Sequence, residues 1–322
     1  MTTTRGTAAR RRGCAEAGVV RVRSGGPETL TASLFRVGRA HTAMSNGWFA
    51  GLDPDDDAAA VERIAAGRAD TPEDWPQQAV EAGFADDDAD YYDRLHEVTM
   101  AATSAAVAER EGADDQQLVH AVRAMADCER TANELAERVA EWGGSRHGDS
   151  GSGVEYARSL TDRDDEDEGD QALRSLAEQT AELAEEADSL RASIERTAPA
   201  VAPNLSMLAG PVLAARLISL AGGLEALAKK PSGTVQVLGA EDALFAHLKG
   251  NAPSPKHGVI FTHEYVRGTR RADRGSAARA LAGKLSIAAR IDHYSGDRRP
   301  ELQTELDERI ERIRARAEEG DG

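Results

Sequence analysis

Between Leu173 and Ile194 apolar or small side chains return at alternating steps of three and four: Leu173, Leu176, Thr180, Leu183, Ala187, Leu190 and Ile194. A helix turns once every 3.6 residues, so this seven-residue repeat draws one apolar line along one face. Such a line is stable only when a second one covers it. Upstream, Leu118, Val122, Met125, Cys128, Ala132, Leu135, Val139 and Trp142 follow the same steps, within a helix expected from about Arg94 to Trp142. Gly143-Gly144 is read as its stop, and a Gly-, Ser- and Asp-rich stretch continues to about Asp170. Two seams joined by a polar loop predict an antiparallel helical hairpin over 94–198, long enough to be a spacer or a dimeriser.

Downstream the pattern changes. From Leu205 to Ala228 the chain is apolar nearly all round, as a buried helix is. A second helix is expected from about Ala240 to Lys249, and Pro253 and Pro255 flank a loop. Val259-Ile260-Phe261 reads as a short extended piece, and a further helix covers Gly275 to Tyr294 with Ala280, Leu281, Leu285, Ile287, Ala288 and Ile291 apolar. Residues 199–300 are thus an all-helical domain. Leu302, Leu306, Ile310 and Ile313 mark a C-terminal helix with an acidic tail over 301–322. Ahead of the hairpin, 44–93 is short, acidic and punctuated by Pro54, Pro72 and Pro76, yet holds six of the 13 aromatics. It is read as a small α/β module whose aromatics form its core. Residues 1–43 show no period and are expected to be a disordered basic arm or an upstream extension, the natural start being Met44. The fold class expected is mainly α.

Charge is segregated along the chain. The net charge of −17 conceals a body, 44–198, with 39 acidic and 13 basic side chains, and a module, 199–300, with 14 basic and seven acidic. All five lysines (Lys229, Lys230, Lys249, Lys256 and Lys284) lie in that module. An acidic body with one basic module is the pattern of a chain in which only the module meets an anionic partner. The acid excess and the scarcity of lysine also point to adaptation to high salt. Near 1 M salt screening acts over about 3 Å, so binding there rests on close contacts. Two cysteines, Cys14 and Cys128, exclude a disulfide framework and a four-Cys zinc site, and the expectation is a cytoplasmic protein. The charge-free stretch Thr197 to Ala215 contains Pro199, Pro203 and Pro211 and is closed by Arg216, which argues against a membrane span.

The chemistry-bearing motifs fail one by one. Gly283-Lys284-Leu285-Ser286 lacks the upstream Gly and the Ser or Thr directly after Lys that a phosphate loop needs. Asp86, Asp88, Asp90 and Glu97 fit the acidic positions of a calcium loop, but Tyr91 stands where its turn requires Gly. The simpler reading is a solvated acidic face, and the run from Asp164 to Glu168 is read as the solvated loop of the hairpin. No His pair, nucleophile–base pair or dinucleotide fingerprint is evident. The expectation is a protein that is not an enzyme, with no cofactor and no metal of its own.

Ala202-Pro203-Asn204-Leu205, followed by Gly210-Pro211 through Gly223-Leu224, resembles the opening of the Nop domain. Pro231-Ser232, Val237-Leu238-Gly239-Ala240-Glu241-Asp242-Ala243-Leu244-Phe245, Pro255-Lys256-His257-Gly258, and Arg279 through Lys284 to Ala289-Arg290-Ile291-Asp292 continue the resemblance in order. The family so identified is that of the archaeal box C/D ribonucleoprotein core proteins and their eukaryotic nucleolar relatives. The resemblance implies that 44–93 docks the methyltransferase fibrillarin, that the coiled coil makes a homodimer, and that 199–300 binds guide RNA together with the kink-turn-binding ribosomal protein. The particle would carry out 2′-O-methylation of ribosomal or transfer RNA, with S-adenosylmethionine held by fibrillarin and this chain as the scaffold. Where the family carries cations, this sequence has Asp242, Ala246 and Ser276, and Arg267, Arg270 and Arg271 lie nearby.

The candidate RNA-binding residues are Gln236, Gly239, Ala240, Lys256, His257, Arg274, Arg279, Lys284 and Arg290. A helix starting near Ala240 could offer free N–H groups to a phosphate, with Gly239 and Ala240 permitting close approach. Gln236 suits a base edge or ribose, and Lys256 and His257 suit phosphate and stacking contacts. Arg279 and Arg290 are eleven residues apart and share a helix face, while at least one of the four cations on that helix is expected to serve an internal ion pair.

Overall fold

The computed structural model describes residues 42–43, 47–68, 73–148, 151–163 and 167–319. Residues 1–41, Met44 itself and 164–166 of the expected hairpin loop lie outside them. The chain forms two compact units that divide between Ala106 and Val107.

In the first unit, α1 (Asp57–Ala66), α2 (Trp75–Glu81) and the beginning of α3 (Asp88–Glu111) surround an aromatic core. Trp48, Phe49, Phe84 and Tyr91 are buried with Ala60, Ala79 and Val98. The Trp48 indole N–H donates to the Tyr91 hydroxyl at 3.1 Å, and Phe84 meets the indole edge-on at 5.2 Å. Four of the segment's aromatics are therefore core, while Tyr92 is exposed. The acidic run is used for capping: the Asp90 carboxylate accepts the Asp86 N–H at 2.9 Å and pairs with Arg94. Those two partners hold it below the usual carboxylate range. The one strand pairing among the described residues is β1 (Thr42–Ala43) parallel to β2 (Gly67–Arg68), with Thr42 opposite Gly67. The α/β expectation for this module reduces to that pair.

The second unit opens with the hairpin. α4 (Asp114–His147) and α5 (Gly153–Thr161) lead into α6 (Glu168–Val201). The arms are antiparallel: Val139 packs with Leu173 in one cluster, and Leu118 with Ile194 in another. The expected single helix from Arg94 to Trp142 is in fact two, because the chain breaks at Gly112-Ala113 between α3 and α4. Gly143-Gly144 does not stop α4 either. It continues to His147 and ends at Gly148, whose φ of 69° is the left-handed conformation that glycine adopts without strain. Gly143 is buried inside the helix because the Tyr156 ring of α5 covers it: a β-carbon there would stand 2.3 Å from the Tyr156 hydroxyl. The supposed polar loop therefore contains a helix.

The seam on α4 also differs from the one drawn by the largest side chains. The inward positions are Leu118, Val122, Met125, Glu129, Ala132, Ala136, Val139 and Gly143, an unbroken alternation of four and three. Leu135 and Cys128 are half-buried and Trp142 is exposed. Small residues occupy the seam where α5 and α6 approach closely. Glu129 sits in it because Arg191 of α6 pairs with one carboxylate oxygen and Arg216 approaches the other at 3.6 Å. On α6 the row Leu173, Thr180, Ala187 and Ile194 is buried, while Leu176, Leu183 and Leu190 are half-buried. At the far end Arg146 bridges Asp167 and Asp170.

Past the hairpin, the stretch expected as one helix from Leu205 to Ala228 is three: α7 (Pro203–Ala209), α8 (Pro211–Ala221) and α9 (Leu224–Lys229). Gly210 (φ 76°) and the pair Gly222 (φ 90°) and Gly223 (φ 126°) make the corners, in conformations that other residues adopt only with strain. α7 and α8 are bent by 117° and most of their apolar side chains are in the core, Leu220 being exposed; no single helix among the described residues is long and apolar enough to cross a membrane. α10 (Ser232–Val237) and α11 (Glu241–Leu248) follow. Val259–Thr262 is a 3-10 turn rather than an extended piece. After α12 (Glu264–Arg267), the long α13 (Arg274–Tyr294) runs through the centre and α14 (Glu301–Glu319) packs along it. Leu205, Leu208, Leu217, Ile218, Leu281 and Leu285 are the main aliphatic core, each contributing about 1.5–3 kcal/mol by burial.

Short helices such as α7 and α9 cannot satisfy their own first N–H groups. Distant carboxylates do so. Asp292 of α13 accepts the Asn204 and Leu205 N–H groups at 3.0 and 2.8 Å, and Asp115 of α4 accepts the Leu224 N–H at 2.8 Å while Arg110 holds it from the other side.

Candidate nucleic-acid interface

The cationic part of the second unit is concentrated between α11 and the first turn of α13. Residues 249–274 carry six Lys and Arg against two acids. The backbone here is pinned before any cation is considered. The Gly258 N–H donates to the Gln236 carbonyl at 2.9 Å and the Val259 N–H to the Leu238 carbonyl at 2.8 Å. The Gln236 side-chain amide donates to the Lys256 carbonyl at 2.7 Å. The Pro255 to Val259 segment thus lies against α10 and its C-terminal end. Gly258 is required for this closeness: a β-carbon would stand 2.0 Å from the Leu238 carbonyl oxygen.

On that support three side chains meet and a fourth runs alongside. The His257 ring stacks on Phe261 at 4.7 Å with an interplanar angle of 20°. The Arg274 guanidinium lies 5.3 Å from the centre of the same Phe261 ring, a cation–π distance. Lys256 runs its aliphatic stem beside Gly275 and is exposed. Partial burial, then the neighbouring Arg274 and Lys256 charges, push the His257 imidazole below its ordinary range. That shift favours the neutral ring, which suits stacking on an unpaired base.

The other candidates are used differently. Gln236 is a brace for the loop, its amide directed at Lys256 rather than outward. The N–H of Gly239 (φ 82°) donates to the Glu241 carboxylate at 2.9 Å, and the Ala240 N–H donates to the Val237 carbonyl at 3.0 Å, so neither is free for a phosphate. Lys284 forms the internal ion pair, with Glu305 of α14. Arg290 donates to the carbonyls of Ala228 and Lys230 at 3.1 and 3.3 Å, closing the C-terminal end of α9. Arg279 and Arg290 are both exposed, but the Arg290 guanidinium is tied back to the backbone carbonyls of Ala228 and Lys230. Sequence reasoning missed Phe261, assigned to an extended piece; its spacing of four from His257 was the available signal. It also gave no role to Asn204, whose side chain bonds Asp292 at 2.6 Å, the Asp297 carbonyl at 2.8 Å and the Arg299 N–H at 2.7 Å.

A half-buried histidine supports the same region. His263 accepts the Tyr265 N–H on Nδ1 at 3.1 Å and bonds the Leu208 carbonyl through Nε2 at 3.1 Å, which requires the neutral Nε2–H tautomer. Burial pushes its imidazole down. His257 and His263 thus bind protons less readily in the folded than in the unfolded chain. Their contribution is complete above the ordinary imidazole range near 6.5 and is lost as pH falls through the lowered values. We expect the melting temperature to fall between pH 7.5 and 5, and the fall to be shallower in His263→Gln; an equal slope in the two proteins, read by circular dichroism melts, would contradict this.

The family model described as "Nop: snoRNA binding domain, fibrillarin" matches residues 113–315. An uncharacterised NOP5 family protein of Methanocaldococcus jannaschii is 49% identical over 139 residues, covering 43% of this chain and 34% of the relative. Nucleolar protein 58 of Schizosaccharomyces pombe is 33% identical over 218 residues, 56% of this chain and 43% of that one. Nucleolar protein 56 of Mus musculus is 42% identical over 123 residues, 38% and 21% respectively. A crystal structure titled as a fibrillarin/Nop5p complex aligns at TM-score 0.46 and 26% identity over 84% of this chain and 99% of that one. The matched span is under half the length of each of these curated relatives, and about a third of the NOP5 family protein. With the match running from the first turn of the hairpin into the C-terminal helix, the chain belongs to the Nop family.

Proposed function

We propose that this chain is the scaffold of a box C/D guide ribonucleoprotein. It joins fibrillarin to guide RNA and to the kink-turn-binding ribosomal protein for 2′-O-ribose methylation of ribosomal or transfer RNA. The observation that carries the reading is the Nop match over 113–315, whose description names snoRNA binding and fibrillarin together. The cationic surface around Lys256, His257 and Arg274, within an otherwise acidic chain, supports RNA as the ligand of this unit. In this reading the chain contributes no reacting group. S-adenosylmethionine is held by fibrillarin, which docks on the first unit, and the hairpin joins two copies through the half-buried leucines of α6, Leu176, Leu183 and Leu190.

The test is reconstitution in high salt with fibrillarin, the kink-turn protein, guide RNA, substrate RNA and labelled S-adenosylmethionine, with and without this chain. Methyl transfer is expected to require the chain and to be lost when it is truncated after residue 198. RNA binding without any dependence of methylation on the chain would overturn the scaffold role and leave an RNA-binding Nop protein of another particle.

A further inference from the structure

The second unit has two places where an anion could approach near the Lys256 loop, and they are of opposite electrostatic character. The first turn of α11 has the helix N-terminus, but Glu241 and Asp242 are its first residues and the Gly239 and Ala240 N–H groups already have acceptors. A phosphate arriving there meets two carboxylates. The second place is the segment from Lys256 through the start of α13. Lys256, Arg267 and Arg271 are exposed on it, and no ion pair of theirs is found among the described residues. Arg270 is paired with Asp273 at 3.2 Å.

What gathers these positions is Arg274. Its Nε donates to the Thr269 carbonyl at 3.1 Å and its Nη2 to the Arg267 carbonyl at 3.3 Å, while its plane approaches Phe261. One guanidinium therefore ties the 267–269 backbone to the ring on which His257 stacks. Thr269 is buried, bonded through its hydroxyl to the Tyr265 carbonyl at 2.7 Å, which fixes the loop from beneath. A lysine could keep the charge of Arg274 but not its two directed bonds and its stacking plane together.

We propose that RNA phosphates are taken by a cationic strip of Lys256, Arg267 and Arg271, away from the α11 N-terminus, and that Arg274 is the positioning residue that holds the strip in shape. The proposal rests on the reading of this unit as the RNA-binding one. Each phosphate contact releases counterions and adds about 0.7–0.9 to the slope of log K against log salt. Contact and positioning roles are therefore separable by experiment.

The measurement is the affinity of the full chain for a guide RNA preloaded with the kink-turn protein, taken across a salt series. The double variant Arg267→Ala/Arg271→Ala is expected to flatten the slope by about 1.4–1.8 and to weaken binding at low salt by tenfold or more. Arg274→Lys is expected to weaken binding about fivefold or more with the slope unchanged, and Asp242→Ala to leave the slope unchanged. Thermal unfolding of each variant confirms that it is folded. A double variant with the wild-type slope overturns the strip. Arg274→Lys with wild-type affinity overturns the positioning role. If the unsubstituted chain binds the preloaded RNA at no salt concentration, the RNA-binding reading itself falls, which is a distinct outcome.

Discussion

Replacing Asp292 by Ala is expected to lower the unfolding free energy of the C-terminal unit by about 2–4 kcal/mol, or its melting temperature by about 5–10 °C. The carboxylate receives three N–H groups: those of the Asn204 and Leu205 backbone and the Asn204 side-chain amide. Burial pushes the carboxyl above its ordinary range despite the opposing pull of the three donors. Without it, Asn204 keeps its bonds to the Asp297 carbonyl and the Arg299 N–H, but the first turn of α7 is left with donors facing a cavity. The α7 dipole loses its anionic partner as well. Urea unfolding followed at 222 nm measures the loss. A change below about 1 kcal/mol would mean that water replaces the carboxylate and that α7 does not depend on α13 for its cap.

Gly258→Ala is expected to be the most damaging small substitution around the Lys256 loop. Its φ of −108° is open to any residue; the objection is space. The added methyl would meet the Leu238 carbonyl oxygen at 2.0 Å and the Val237 carbonyl carbon at 2.6 Å, and neither is the end of a flexible side chain. The loop must withdraw, giving up the Gly258 and Val259 backbone bonds and the Gln236 bond to Lys256. Overpacking and the lost bonds together amount to about 2–4 kcal/mol. Because Lys256 and His257 move with the loop, RNA affinity is expected to fall by tenfold or more. Gly233→Ala is the control: nothing lies within 4 Å of its β-carbon position, and alanine inside α10 is neutral or stabilising by up to about 1 kcal/mol. Faster hydrogen exchange at Val259 in Gly258→Ala but not in Gly233→Ala would confirm the cause; equal exchange would refute it.

The parts of the fold that were legible are those in which a period carries the information. Leu173 to Ile194 identifies α6 from spacing alone, though only Leu173, Thr180, Ala187 and Ile194 of that row are buried, and Leu118, Val122 and Met125 identify the start of α4 and its inward face. Past Met125 the period and side-chain size disagree, and the period wins. Ala136 and Gly143 face inward because α5 and α6 leave no room for more, while Trp142 turns out. A reading that follows large apolar residues therefore drifts by one position. The core helices failed for another reason. Gly210 and Gly222-Gly223 sit in a run so apolar that a continuous helix fits it equally well, and what breaks it is supplied by residues 80 or more positions away. The candidate site was partly legible. Residue type marked Lys256, His257 and Arg274, but which cations are already tied down is decided by acceptors no motif shows: Glu305 for Lys284, and the Ala228 and Lys230 carbonyls for Arg290.

Glu129 in the hairpin seam has a geometric consequence. A uniform apolar seam looks the same after any shift of seven residues, so two such arms could slide by whole repeats. A single carboxylate held by Arg191 on one arm and Arg216 on the core marks one phase among them. The 34-residue α4 is then a ruler of about 50 Å with a fixed zero. Removing seven matched residues from each arm between Glu129 and the tip would shorten it by about 10 Å and keep its bearing, whereas removing four would also swing the tip about 40° around the axis. Changes of length in this rod are therefore tolerated in sevens, and only on the far side of its zero mark.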